Sequence, residues 1–358
     1  MEKSLFLHGG SGWQWGASVL GLLCVPLLVF ASQAKRPNIL LVMADDLGFS
    51  DFGCNGGEIP TPNIDVLART GLRFAEFYNN GVCGPTRASL LTGLYAQRIG
   101  HSGGGWNDPT NYRVCVTVGE ALLQRAGYHT TMAGKWQGAE LPADFGFDRS
   151  FAMVGTGAGN YRVLNQDAKV PGWRLDGVSM RLGSGPKVMP GPSDTFDAYG
   201  QAWATVSNTP FRDFKRTSFE GGVRTPLIAH WPAVTEGSGQ VVHGVGHVMD
   251  FMPTFPELAG VSYPREYKER KLLPLDGESF AAVLRGARWA GRTELCWNLP
   301  PTRGIRSGTW KLVERTGSRR RCSFFISSTM GRKRGTRPWS SASVPVNLPR
   351  GGNSGRRA

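Results

Sequence analysis

Apolar residues along this chain come in short runs that end on chemically loaded polar segments. The first, Asn38-Ile39-Leu40-Leu41-Val42-Met43 behind Pro37, is nearly continuous and partly β-branched. That is the pattern of a strand buried on both faces in a parallel sheet, and this one delivers Asp45 and Asp46 at its end. Thr61-Pro62-Asn63-Ile64-Asp65 with the amphipathic run 66–71 predicts a capped helix closed by Gly71. Leu72 to Tyr78 predicts a strand leading into the loop before Cys83. Residues 116–126 have helical periodicity ending at Gly127. Tyr128 to Ala133 then reads as a short strand, followed by Gly134-Lys135-Trp136. Beyond a glycine-rich, aperiodic stretch from about Gly155 to Lys187, Thr225 to Pro232 predicts a buried strand. Asp250 to Leu258 predicts a short helix capped by Asp250 and closed by Gly260, and Gly308 to Val313 a strand of a small antiparallel appendage. Strands alternating with helices, each strand ending in reactive residues, describe a doubly wound α/β arrangement. In such sheets ligands gather outside the carboxyl ends of the strands.

Length and charge narrow the picture. A chain of 358 residues suits one large α/β domain, alone or with a small appendage. Its net charge of +14 suggests a polyanion binder until the charges are located. Eleven Lys or Arg and no Asp or Glu lie between Arg315 and Ala358, so most of the excess belongs to a basic tail. It gives no ground for expecting nucleic acid. At the other end, Lys3, an apolar stretch from Ala17 to Ala31 and the small residues Ala31, Ser32 and Ala34 form a secretory signal pattern. The stretch is shorter than the roughly 20 residues of a spanning helix. The expectation is cleavage near Ala31 or Ala34, no stable membrane span, and a periplasmic or secreted location. Cys24 would leave with the signal. Cys54, Cys83, Cys115, Cys296 and Cys322 remain, an odd set in which at least one thiol stays free.

Three segments carry candidate chemistry. Asp45 and Asp46 are adjacent acids whose repulsion a divalent cation would relieve, although such pairs also occur as solvated turns. Cys83-Gly84-Pro85-Thr86-Arg87 runs straight into Ala88-Ser89-Leu90-Leu91. Pro85 presets φ for the start of a helix, whose N-terminus favours anions, and Arg87 lies about one turn on. Lys135 and Lys215 are the third set. Taken singly, each could be a surface lysine with its stem on a neighbour.

In order along the chain, Arg36-Pro37-Asn38-Ile39-Leu40 with Asp45-Asp46, Thr61-Pro62-Asn63-Ile64-Asp65, the Cys83 signature, Gly134-Lys135-Trp136, and Lys215 with Glu220-Gly221-Gly222 resemble the formylglycine-dependent sulfatases. The likeness is to the bacterial arylsulfatase-like branch in particular, over about 36–161 and 188–314. The resemblance implies an α/β, alkaline-phosphatase/sulfatase-like doubly wound mixed sheet with a small, incomplete C-terminal antiparallel subdomain. The implied division is a signal peptide at 1–34, the sulfatase domain at 35–290 with a segment missing near 158–188, a partial subdomain at 291–314, and a basic low-order tail at 315–358. It implies oxidation of Cys83 to formylglycine by a formylglycine-generating or sulfatase-maturating enzyme. Asp45, Asp46 and the modified Cys83 would be Ca2+ ligands, and Arg87 would hold the hydrated aldehyde. Lys135 and Lys215 would clamp the sulfate of an aryl or carbohydrate ester.

The pattern departs from the family at three places. Gln137 stands where the family usually has histidine, no Asp-Asn dipeptide occurs anywhere, and no histidine lies between His129 and His230. An inactive homologue or truncated remnant that at most binds sulfated ligands is therefore the alternative expectation. A phosphatase or phosphodiesterase of the same superfold is disfavoured, because those enzymes usually offer serine or threonine in place of Cys83.

Overall fold

Two three-stranded sheets carry the site, with a four-stranded antiparallel sheet behind it. The structure, a computed structural model, describes residues 36–100, 114–120, 126–137, 141–154, 162–165, 181–182, 195–196, 200–235, 239–315 and 321–326. The expected signal peptide, most of the glycine-rich stretch and the end of the basic tail lie outside these residues. Met1–Arg36 and Pro37–Ala358 separate as two units, and every element below belongs to the second.

Helix α1 (Pro62–Thr70) has Pro62 at its first position and ends at Gly71, as its sequence predicts. Strand β1 (Leu72–Tyr78) follows and is buried along most of its length. It pairs antiparallel with β7 (Leu227–Ala229) and in parallel with β8 (Gln240–His247), with a register shift between Phe74 and Glu76. Behind β1 the rings of Phe74, Phe77, Phe251, Phe280 and Trp289 meet mostly edge to face at centroid separations of 5.4–6.2 Å. Such pairs add about 0.5–1.5 kcal/mol each beyond the area they bury. Gly246 on β8 is required here, because a Cβ would lie 2.6 Å from the Phe77 ring.

Helix α2 (Cys83–Thr92) is buried over nearly its whole length and stops at Gly93, which takes a left-handed φ of 69°. The second sheet holds β2 (Thr131–Trp136), β3 (Arg149–Val154) and β4 (Arg162–Asn165), the first pair parallel and the second antiparallel. Arg181–Leu182 (β5) with Thr195–Phe196 (β6), and Glu266–Tyr267 (β9) with Arg270–Lys271 (β10), are two-residue ladders. The antiparallel sheet β11 (Glu294–Leu299), β12 (Thr302–Ser307), β13 (Trp310–Arg315) and β14 (Arg321–Ile326) extends the predicted appendage at both ends. Its last strand lies where composition alone suggested a low-order tail.

Several local expectations change. Pro37 to Met43 belongs to no ladder, and Leu40 and Val42 are 88% and 80% exposed, so this segment is not the buried strand its apolar run suggests. A run of this kind is buried only where strands flank it, and β2 and β8 are each edge strands of separate sheets. The expected strand at 128–133 begins three residues later, which places Lys135 inside β2. Strand β7 is a half-buried edge strand instead of a buried one. The helix Phe251–Leu258 forms, but the Asp250 carboxylate does not cap it. It takes Arg292 and the backbone N–H groups of His247 and Glu278 instead.

Candidate active site

Cys83 is the first residue of α2, half-buried at the end of the loop that leaves β1. Asn80 organises that loop. Its side-chain amide donates to Pro85 O at 2.9 Å and to Ser89 Oγ at 2.7 Å, and its backbone N–H donates to Thr86 Oγ1 at 3.1 Å. These bonds fix the first turn of α2 and with it the direction of residue 83.

Strand β2 supplies the facing side. Trp136, the last residue of β2 and 3% exposed, packs on Phe145 and Phe147, with Lys135 before it in the strand and Gln137 directly after its end. Gln137 Nε2 donates to Cys83 Sγ at 3.2 Å. Lys135 Nζ lies 2.5 Å from Asp45 Oδ2, and the backbone O of Lys135 accepts from Arg87 Nη1 at 2.9 Å. Arg87 Nη2 also approaches Asp45 Oδ1 at 3.8 Å. One turn of α2, the end of β2 and the segment after Met43 are thus tied together by three charged groups.

Lys215 arrives on the loop 211–219 and pairs with Asp46. The backbone N–H of Arg216 donates to Gly81 O at 2.9 Å, fastening this loop beside Cys83. The Glu220-Gly221-Gly222 segment is explained by packing. A Cβ on Gly221 would lie 1.9 Å from Asp213 O, and one on Gly222 2.2 Å from Thr217 O. Asp46, Asp213 and Arg216 hold φ of 56°, 60° and 73°, a left-handed conformation that side chains resist and that concentrates at functional sites.

All six residues singled out in the sequence therefore meet as two groups. Cys83, Arg87, Lys135 and Asp45 are linked through α2 and β2, and Asp46 with Lys215 adjoins them through the backbone. Among the described residues, Arg87 Nε in the first group and Oε1 of the adjoining Gln137 are buried without a hydrogen-bond partner. Among the described residues no three His, Cys, Asp or Glu side chains gather as a metal cluster. Cys54, Cys83, Cys115 and Cys296 are free thiols, and burial pushes Cys115 up to about 12, the nearby Glu120 charge adding to it.

Sequence reasoning missed the charged layer beneath the site. Glu220 Oε1 receives Lys311 Nζ at 2.7 Å from β13, and Glu220 Oε2 accepts from Tyr78 Oη at 3.0 Å. Arg306 of β12 reaches Glu76 Oε2 at 3.0 Å. Arg224 joins Glu220, donates to Ala75 O, and stacks over Phe211 at 4.4 Å. Lys311 sits two residues after Gly-Thr in a strand of alternating pattern, and nothing local distinguishes it from a solvated lysine.

The fold thus sets a cysteine at a helix start close to two lysines, an arginine and two aspartates. Residues 37–182 match the family model for sulfatases. It is 40% identical to the arylsulfatase of Klebsiella aerogenes over 144 residues, 37% of this chain and 31% of that protein. With human arylsulfatase A it shares 27% identity over 379 residues, 76% of this chain and 72% of that one. The chain thus spans less than a third of the first of these relatives. Among solved structures, Ps i-CgsB aligns with a TM-score of 0.62 at 21% identity, over 82% of this chain and 86% of that one. It is also solved with k-i-k-neocarrahexaose. At that identity the likeness speaks for the fold, which is the alkaline-phosphatase-like mixed α/β arrangement.

Proposed function

We propose that this chain is a sulfuric ester hydrolase that cleaves sulfate esters of aryl or carbohydrate alcohols through a formylglycine derived from Cys83. The observation that carries the reading is the placement of Cys83 Sγ against Gln137, next to the Arg87–Asp45–Lys135 cluster, in a chain of sulfatase ancestry. A thiol offers at most one proton and a weak acceptor. The orphaned Arg87 Nε and Gln137 Oε1 ask for more polar partners than it provides, and an aldehyde hydrate at position 83 fits them. When formed by a maturing enzyme, that group supplies an oxygen nucleophile for sulfur.

The chain's own residues do the rest. Lys135 and Lys215 present ammonium groups for the sulfate oxygens, and Arg87 adds a third cation from α2. Asp45 and Asp46 hold the two lysines in place and keep the cations apart. Calcium is the finer part of the family expectation. Asp45 and Asp46 contribute two carboxylates, each already paired with a lysine, whereas calcium takes roughly six to eight oxygens. The described residues do not fit a closed calcium shell, and no step is routed through one.

Export follows from the N-terminal signal pattern. Among the described residues no helix is long and apolar enough to cross a membrane. The expected partners are the maturing enzyme and a sulfated ester, the latter in line with Ps i-CgsB being solved in complex with k-i-k-neocarrahexaose. A non-catalytic homologue that only binds sulfated ligands is the second reading, favoured by the short donor set and the uncovered 37–43 segment.

The test is turnover of a chromogenic aryl sulfate by full-length protein co-expressed with a maturing enzyme. Hydrolysis that falls to background in Cys83→Ala supports the enzyme. Conversion of Cys83 without turnover of any sulfate ester tried moves the reading to the binder.

A further inference from the structure

Gln137 is 5% exposed, and its amide has two ends with different fates. Nε2 is spent on Cys83 Sγ at 3.2 Å, while Oε1 is buried with no hydrogen-bond partner among the described residues. A buried amide oxygen left unbonded costs about 1–3 kcal/mol. Gln137 follows directly on Trp136, the end of β2, whose ring is held by Phe145 and Phe147. A thiol cannot satisfy both ends of an amide. Two hydroxyls on one carbon can, one accepting from the N–H and the other donating to the carbonyl.

We propose that Gln137 is a positioning residue for the hydrated form of the aldehyde at position 83, its N–H donating to one hydroxyl and its carbonyl accepting from the other. This deepens the reading above and rests on it. Hydration adds one water across the carbonyl: the water oxygen bonds to carbon, its proton goes to the carbonyl oxygen, and nothing is oxidised or reduced. By holding both hydroxyls, the amide shifts the aldehyde–hydrate equilibrium toward the hydrate. An amide does not titrate, so donor and acceptor persist over the whole working pH range. A histidine in the same place would lose its acceptor on protonation near pH 6.5. The distinctive property inferred for this chain is therefore a Gln137 contribution to hydrate stability that does not change between about pH 5 and 8, the charged groups around the position, Asp45, Arg87 and Lys135, being common to wild type and variants.

The experiment reads the free aldehyde instead of turnover. Full-length protein is matured, conversion at residue 83 is quantified by peptide mass spectrometry, and the rate of labelling by an aminooxy probe is measured, since the hydrate is unreactive. Gln137→Leu, which keeps the size but neither hydrogen-bonding end, is expected to label about tenfold faster than wild type per converted site. Its ratio to wild type should stay constant from pH 5 to 8. Gln137→His should show a ratio that rises as pH falls through about 6.5. Gln137→Met serves the same purpose as Gln137→Leu if the latter does not fold. Labelling of Leu and Met variants at the wild-type rate overturns the role of Gln137 while leaving the sulfatase reading intact. A wild type that carries no aldehyde after co-expression overturns both.

Discussion

Replacing Lys311 by Met tests the charged layer that ties the antiparallel sheet to the site. Lys311 is 1% exposed, its Nζ is 2.7 Å from Glu220 Oε1, and it lies 4.3 Å from the Trp297 ring centroid. Burial by itself would raise the Glu220 carboxyl. The Lys311 and Arg224 charges and the bonds from Lys311 and Tyr78 outweigh it and hold Glu220 below the usual carboxylate range. Met fills the volume of the lysine stem and removes the cation, so the change isolates charge from packing. Removing one partner of a buried ion pair typically costs about 3–5 kcal/mol. Arg224 Nη1 remains 3.4 Å from Glu220 Oε2, and Tyr78 still donates to it, so the lower end, about 3 kcal/mol, is expected.

Urea unfolding followed by tryptophan fluorescence, with Trp297 beside the changed group, measures this directly. The companion Lys311→Met/Glu220→Gln double variant removes both charges and should recover about 1–2 kcal/mol of the loss, since the carboxylate left short of a cation is gone and Arg224 keeps Glu76 at 4.0 Å. A Lys311→Met variant within about 1 kcal/mol of wild type, with no recovery in the double variant, would refute the reasoning. It would mean that water reaches Glu220 and that the layer contributes no coupling.

Two further outcomes are expected. His247 is fully buried, and burial, with the Arg292 charge adding, pushes it down to about 3 from its ordinary 6.5. The unfolded chain therefore takes up a proton below 6.5 that the folded chain refuses. Stability is level above that pH and falls as pH drops toward 3, by about 2 kcal/mol at pH 5. His247→Gln should flatten the difference between urea midpoints at pH 7 and pH 5, and equal losses in both proteins would contradict it. Gly221→Ala drives a methyl against Asp213 O and should cost about 1–3 kcal/mol while displacing Lys215, seen as a lowered melting temperature together with weaker sulfate binding by calorimetry.

Local chemistry by itself determined much of this protein. Pro85 behind Cys83 starts α2, Gly93 ends it, Pro62 and Gly71 bound α1, and Leu72 to Tyr78 is a strand, because caps, φ limits and apolar runs act within a few residues. The order of Asp45-Asp46, Cys83, Arg87, Lys135 and Lys215 was also legible as one set. What only the tertiary structure decided depends on partners far away in sequence. The apolar run at 37–43 has every local mark of a buried strand, yet burial of such a strand is conferred by its neighbours, and neither β2 nor β8 pairs with it. Strand β8, with four histidine or glycine residues among its last five, carries little strand signal. It becomes one by pairing in parallel with β1, where the absent side chain of Gly246 admits the Phe77 ring. Lys311, Arg306 and Glu76 read as surface charges and are buried. A charge is stable inside only opposite another, and the residue that supplies its counter-charge stands from 91 to 230 positions away.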